Sequence, residues 1–292
     1  MSPILFLIFN RPKQTKLVFE QIRKAKPRKL FIAADGPRSK IKGEIELCNE
    51  ARSITNLIDW DCEVNTLFRP TNLGCGKAVS EAIDWFFENV KEGIILEDDC
   101  LPDQTFFSFC TELLDYYRDD ERVAHIAGSN HQLGNWRGEG SYYFSNFVHI
   151  WGWATWKRAW NYYDFTCKNF QSKGLQKMEP MMQIALKKTL SGELDTWDLQ
   201  WNYAVVNNNK LSIIPNISLI KNIGYDSLYS THTKKEPKWI KKMKYGKIET
   251  IIHPNEVSIN VEADIYSRKI FGWNKFKAIL LSLYFFYKKI FK

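Results

Sequence analysis

Gly93-Ile94-Ile95-Leu96-Glu97-Asp98-Asp99-Cys100 decides how this chain is read, because a short apolar, β-branched run stops at three consecutive carboxylates. Such a run reads as a buried strand that delivers acids to the edge of a sheet. In open α/β sheets ligands bind beyond the carboxyl ends of the strands, so acids there face a crevice where a divalent cation and a diphosphate can meet. By itself an acidic triplet is equally a solvated turn, and the surrounding sequence has to separate the two.

Outward from the triplet, Ile4 to Phe9, Lys29 to Ala34 and Glu63 to Phe68 read as strands, with Lys13 to Ala25, Ile41 to Leu57 and Gly76 to Val90 as helices between them. This alternation predicts an α/β fold: a Rossmann-like, mostly parallel central sheet flanked by helices, with right-handed crossovers. Three strand ends then carry polar groups just where the strand stops: Asn10-Arg11-Pro12, Asp35-Gly36-Pro37 and Glu97-Asp98-Asp99. Their convergence favours the crevice over the solvated turn.

The 292 residues are 45% hydrophobic, enough for a sizeable core and far from a disordered composition. Cys48, Cys62, Cys75, Cys100, Cys110 and Cys167 form no C-x-x-C pair or disulfide spacing, and the first apolar run has no basic leader, so a reducing, cytoplasmic setting is expected. The net charge is +8, yet Lys234 to Lys292 holds 14 Lys and Arg against 5 Asp and Glu, so the rest of the chain is near −1. A near-neutral body argues against nucleic acid as a partner. Within Asn274 to Lys292, an apolar run from Ala278 to Tyr287 is bracketed by Lys275, Lys277, Lys288, Lys289 and Lys292. It is too short to span a bilayer, and its pattern suits either an interfacial helix on an anionic cytosolic leaflet or a terminal helix packed on its own domain.

Gly74-Cys75-Gly76-Lys77 imitates the end of a phosphate-binding loop, but position 71 is Thr and Lys77 is followed by Ala78. The glycines are expected to turn the chain into the next helix, from which Lys77 can reach a phosphate. A second constellation runs from Glu193 to Val205. At helical spacing Leu194, Trp197, Trp201, Ala204 and Val205 make an apolar stripe, with Asp195, Asp198 and Asn202 on its edge. Partial desolvation there suits Asp198 to take a proton from a hydroxyl, with Asp195 in reserve, against the plainer reading of an acid on an amphipathic helix. Trp151-Gly152-Trp153 offers aromatic faces to a sugar, while most rings of that tryptophan-rich segment are expected in the core. After a strand at Leu211 to Leu219, the polar stretch from Lys221 to His232 reads as a loop closing over a diphosphate.

With these motifs in place the chain resembles the GT-A glycosyltransferases, most closely the alpha-mannosyl beta-1,2-N-acetylglucosaminyltransferase family. The resemblance rests on Asn10-Arg11, Asp35-Gly36, Glu97-Asp98-Asp99 with Thr105-Phe106-Phe107, Ala127-Gly128-Ser129-Asn130, Trp151-Gly152-Trp153 and Trp197-Asp198. It implies a catalytic domain over residues 1–232, with a donor-binding half to about 130 and an acceptor half beyond; the tail lies outside the resemblance, and its charge and apolar run predict a basic C-terminal helical extension over 233–292. It implies that Asp99 holds Mn²⁺ or Mg²⁺ on the donor diphosphate, with His232 as a further ligand. Asp98 and Glu97 would face ribose and sugar, Asp35 the base (uracil by resemblance), and Asn10 and Arg11 would line the nucleotide pocket. The function implied is inverting transfer from a UDP-sugar to a glycan or lipid-linked glycan, with Asp198 as base. A sugar-phosphate nucleotidyltransferase is the alternative of the same superfold, though Asn10-Arg11-Pro12-Lys13 lacks the glycines such a loop needs. A non-catalytic carbohydrate-binding protein is the third reading.

Overall fold

The computed structural model describes residues 1–168, 170–225 and 236–270. In chain order they form β1 (Ile4–Ile8), α1 (Pro12–Ala25), β2 (Lys29–Ala34), α2 (Glu44–Arg52), β3 (Glu63–Phe68), α3 (Cys75–Asn89), β4 (Glu92–Glu97), β5 (Cys100–Pro102) and α4 (Gln104–Tyr116). There follow β6 (Val123–Ala127), β7 (Tyr142–Ser145), β8 (Trp153–Trp156), α5 (Lys157–Trp160), α6 (Ser172–Leu175), α7 (Pro180–Leu190), α8 (Asp198–Asn207), β9 (Leu211–Pro215), β10 (Ile220–Asn222) and α9 (Val261–Ile270).

Eight strands make one sheet in the order β3-β2-β1-β4-β8-β6-β9-β7, and β5 pairs with β10 in a small second sheet. The first four strands are mutually parallel, as the alternation requires. β8 then runs antiparallel to both β4 and β6, and β7 antiparallel to β9. β1 shows why the sheet is buried on both faces: Ile4, Phe6 and Ile8 point into one apolar cluster, Leu5 and Leu7 into the other. The first cluster is sealed by Val18, Phe19 and Ile22 of α1 and by α4, whose first turn is capped by Asp103 accepting from Thr105 N at 2.9 Å. The second is sealed by Ala82, Ile83, Phe86 and Phe87 of α3 and by the tryptophans around α8.

Three expected elements are shorter than their patterns suggest. Gly43, in the left-handed conformation at φ 79°, starts α2 at Glu44, and the helix tightens into a 3₁₀ turn over Ser53–Leu57. The strand expected to reach Leu219 stops at Pro215, where Asn216 ties back to Ser141 and Gly140, and the chain re-enters sheet structure only at β10. The helix expected from Glu193 begins only at Asp198, and its exposed edge is absent because Leu199 through Val206 are all buried.

Residues 236–270, expected in a separate extension, pack on the sheet. Ile240, Met243, Ile248 and Ala263 are buried, Ser141 N donates to Ile252 O at 2.8 Å, and Asp264 accepts from Ser145 Oγ at 2.5 Å. The lysine-bracketed run from Ala278 to Tyr287 lies outside the described residues. No helix among the described residues is long and apolar enough to cross a membrane.

Candidate active site

At the carboxyl end of β4 the three acids divide according to what reaches them. Asp98, 2% exposed, accepts from Phe9 N at 3.2 Å and from Arg11 Nη2 at 2.8 Å. Asp99, partly exposed, accepts from Arg11 Nη1 at 2.6 Å, so one guanidinium forks across both aspartates. Arg11 is in place because α1 begins at Pro12, which leaves only a three-residue turn after β1. Burial and repulsion from Asp99 push the Glu97 carboxyl up, and burial does the same to Asp98 against the pull of Arg11.

These groups open into a cleft of about 830 Å³, within the range of small-molecule pockets. Its floor is made by the ends of β1, β2 and β4, and one wall by Gly74, Cys75 and the first turn of α3 together with Asp195 through Leu199, joined where Asp195 accepts from Cys75 N. Asn222, Gly224 and Tyr225 close a third side, fixed where Ile223 N donates to Asp99 O at 2.8 Å.

Of the residues expected at a site, Arg11, Asp35, Glu97, Asp98, Asp99, Trp151, Asp195 and Asp198 line this cleft. Asp35 spends both oxygens on the 72–74 loop, accepting from Asn72 Nδ2 at 2.8 Å and from Leu73 N and Gly74 N at 3.0–3.1 Å. Burial pushes its carboxyl up and those N–H groups pull it back. Asp198 heads α8, accepts from the Thr196 hydroxyl, and sits where the helix dipole favours a carboxylate, rather than mid-helix beside an apolar stripe.

Others are placed elsewhere. Asn10 is buried and donates to Glu44 Oε1 at 2.7 Å, so it braces the Arg38–Glu44 ion pair instead of lining the pocket. Lys77 stands on the exposed side of α3, 3.7 Å from Glu81, because the turn through Gly74 directs it outward. Trp153 is fully buried and stacks on Trp197 with ring centroids 5.5 Å apart, so it is core; Gly152, at φ +58°, makes the turn between it and Trp151. His232 lies outside the described residues. Sequence reasoning missed Arg38 and Arg69, which bring positive charge to the Asp35 end of the cleft, and named only the 221–232 stretch around Tyr225, not that residue. Arg38 had a signal, one residue beyond Asp35-Gly36-Pro37; Arg69 had none, since only the fold brings it near β4.

Three carboxyl groups share one guanidinium, and burial with their mutual repulsion holds Glu97 and Asp98 above the usual carboxylate range, a tension that a divalent cation would offset. Among the described residues no three His, Cys, Asp or Glu side chains are arranged to hold a metal. Asp99 is partly exposed to the cleft, where a cation whose shell is completed by phosphate oxygens and water, as Mg²⁺ commonly has, would meet it.

No protein-family model matches this chain, and no curated protein matches it. Among solved structures it is similar to HddC from Yersinia pseudotuberculosis, at 11% identity over 54% of this chain and 78% of that one, with a TM-score of 0.33. It is similar also to 4-diphosphocytidyl-2C-methyl-D-erythritol synthase from Anaerococcus prevotii, at 7% identity over 72% and 87% with a TM-score of 0.36. A third is an apo UDP-glucose pyrophosphorylase, at 10% identity over 75% and 91% with a TM-score of 0.37. At these scores the likeness carries no argument about what the chain does; the α/β architecture stands on the strand order and pairing described above.

Proposed function

We propose that this chain is a metal-dependent, inverting glycosyltransferase that takes a nucleotide-sugar donor, UDP-linked by the family resemblance, and a glycan or lipid-linked glycan acceptor. The observation that carries the reading is the Arg11-forked Asp98–Asp99 pair at the end of β4, set in one cleft with the carboxylate of Asp198. Asp99 holds Mn²⁺ or Mg²⁺, which when bound offsets the charge of the departing nucleoside diphosphate. Arg11 fixes the two aspartates, Glu97 faces the sugar, and the Asp35-held loop with Arg38 and Arg69 shapes the base end. Asp198 takes the proton of the acceptor hydroxyl as its oxygen bonds to the anomeric carbon and the bond from that carbon to the diphosphate breaks, inverting the centre. Trp151 offers a ring face to a sugar. Residues 271–292 would hold the enzyme at the cytosolic face of an anionic membrane.

A second reading is a sugar-phosphate nucleotidyltransferase. The similar structures named above include a pyrophosphorylase and a diphosphocytidyl synthase. Against it, the three-residue turn between β1 and α1 has no glycine to bring backbone N–H groups around a triphosphate.

One experiment separates the two. Wild type is assayed with Mn²⁺ or Mg²⁺ on UDP-N-acetylglucosamine plus oligosaccharide acceptors, and on UTP plus glucose 1-phosphate. Acceptor-dependent release of UDP supports the first reading, and pyrophosphate release from UTP the second. Asp99→Ala should weaken metal-dependent binding of UDP, read by thermal shift, by roughly tenfold or more. Absence of any metal-dependent nucleotide shift in wild type sinks both.

A further inference from the structure

Asp195 has a use that neither reading assigns. Its side chain crosses from the segment before α8 to the start of α3, where Oδ2 accepts from Cys75 N and Oδ1 from Gly76 N, both at 2.8 Å. These are orphan N–H groups of a 15-residue helix, at the end where the dipole favours an anion. The fit is close on both sides: a Cβ at Gly74 would stand 2.5 Å from Asp195 Oδ2, and one at Gly76 2.8 Å from Oδ1. Gly74 also has φ +85°, which L side chains rarely adopt. The Gly-Cys-Gly-Lys stretch that imitates a phosphate loop thus already holds an anion, supplied by the chain itself.

Asp195 is followed at once by Thr196, whose hydroxyl donates to Asp198, and by the buried Trp197. Tyr163 OH donates to Trp197 O at 3.2 Å and Gln200 Nε2 to Thr196 O at 3.3 Å, so the segment is held from the rear, and Asp195 is its tie at the cleft edge.

We propose that Asp195 is a positioning residue: its carboxylate latches the 195–199 segment onto the N-terminus of α3 and thereby sets the place of Asp198 across the cleft from Asp99. The proposal rests on the reading of Asp198 as the base. It excludes Asp195 as that base, because both its oxygens are engaged on backbone N–H groups.

The test uses the full chain and three variants, Asp195→Asn, Asp195→Ala and Gly76→Ala, the last of which crowds both the carboxylate and Thr196 O from the α3 side. Amide hydrogen exchange at Cys75, Gly76 and residues 196–199 is measured alongside UDP affinity in Mn²⁺ and the steady-state release of UDP from UDP-N-acetylglucosamine across pH. Expected in Asp195→Ala and Gly76→Ala are about tenfold faster exchange at those amides and about tenfold lower kcat. KM for the donor, UDP affinity and the acid limb of the pH profile should match wild type, because the base itself is untouched. Unchanged exchange in Asp195→Ala shows that there is no latch, and faster exchange with wild-type kcat shows a latch that positions nothing. Loss of the acid limb in Asp195→Asn makes Asp195 the base; each of these outcomes overturns the proposal. If wild type neither binds UDP nor releases it, the functional reading fails separately. Exchange at 196–199 then decides the latch, and wild-type rates there in Asp195→Ala overturn it.

Discussion

The acid cluster at the end of β4 and the tryptophan–histidine core behind β8 are both buried and polar, and they handle that polarity in opposite ways. Around Arg11 the balance is by charge and is incomplete, so Glu97 and Asp98 are held above the usual carboxylate range. In the core burial keeps the histidines neutral and His125 and Trp201 find partners, while Trp153 Nε1 finds none among the described residues. His125 Nε2 donates to His149 O at 3.0 Å, which leaves Nδ1 unprotonated to accept from Trp201 Nε1 at 3.2 Å, while the ring stacks on Trp153 with centroids 5.1 Å apart. One region is arranged for stability, and the other retains an electrostatic tension that a bound cation and phosphate would relieve.

The largest effect that bears on this contrast is expected in the core. Trp201 is fully buried, with its ring 5.1 Å from that of Trp160 and 5.7 Å from that of Trp153. Trp201→Ala removes that packing and leaves His125 Nδ1 without its donor, so a loss of about 3–5 kcal/mol is expected by urea unfolding. A loss under about 1 kcal/mol would remove the distinction between the two regions.

Next in size is a response to acid. Burial lowers His125 to about 4 and His131 to about 3, both below the unfolded value near 6.5. Between those values the unfolded chain binds more protons, so this part of the stability is present above about pH 6.5 and is lost as pH falls towards 4. For His125 the loss is on the order of 2–3 kcal/mol, read as a falling urea midpoint. Replacement by Gln, which presents a neutral amide at the same place, should flatten that limb. An unchanged limb in His125→Gln would show that the acid sensitivity arises elsewhere.

The same contrast explains what could be read in the chain before its structure. The parallel half was legible because each strand is a short apolar run bounded by polar or Gly/Pro positions, and because sheet physics puts ligands beyond carboxyl ends. Arg11, Asp35 and Glu97 to Asp99 were all found that way, and all line the cleft. The mixed half was not, since β8 enters between β4 and β6, neither of which is its neighbour in sequence, and its four buried residues encode burial but no partner. The errors share a cause. Asn10, Lys77 and Trp153 were assigned by sequence adjacency to a motif, whereas direction is set by contacts distant in sequence: Glu44 for Asn10, the turn at Gly74 for Lys77, and Trp197 for Trp153. Asp195 and Asp198 looked interchangeable at helical spacing and separated only because the helix starts between them.

A third effect has the opposite sign. Burial, with repulsion from Asp99, lifts Glu97 to about 8, above its unfolded value near 4.5, so the folded state binds more protons across that interval. Its contribution to stability is complete below about pH 4.5 and is lost as pH rises towards 8, the reverse of the histidine limb. Glu97→Gln keeps the shape and removes the charge, and should therefore raise the urea-derived stability at pH 8 while leaving pH 4.5 unchanged. It should also lower metal-dependent UDP binding, because the excess negative charge that favours a cation falls by one. A substitution that stabilises the fold and weakens the site would put the tension in the acids themselves. Destabilisation at pH 8 would mean that Glu97 is a structural acid, whose charge Arg11 already balances.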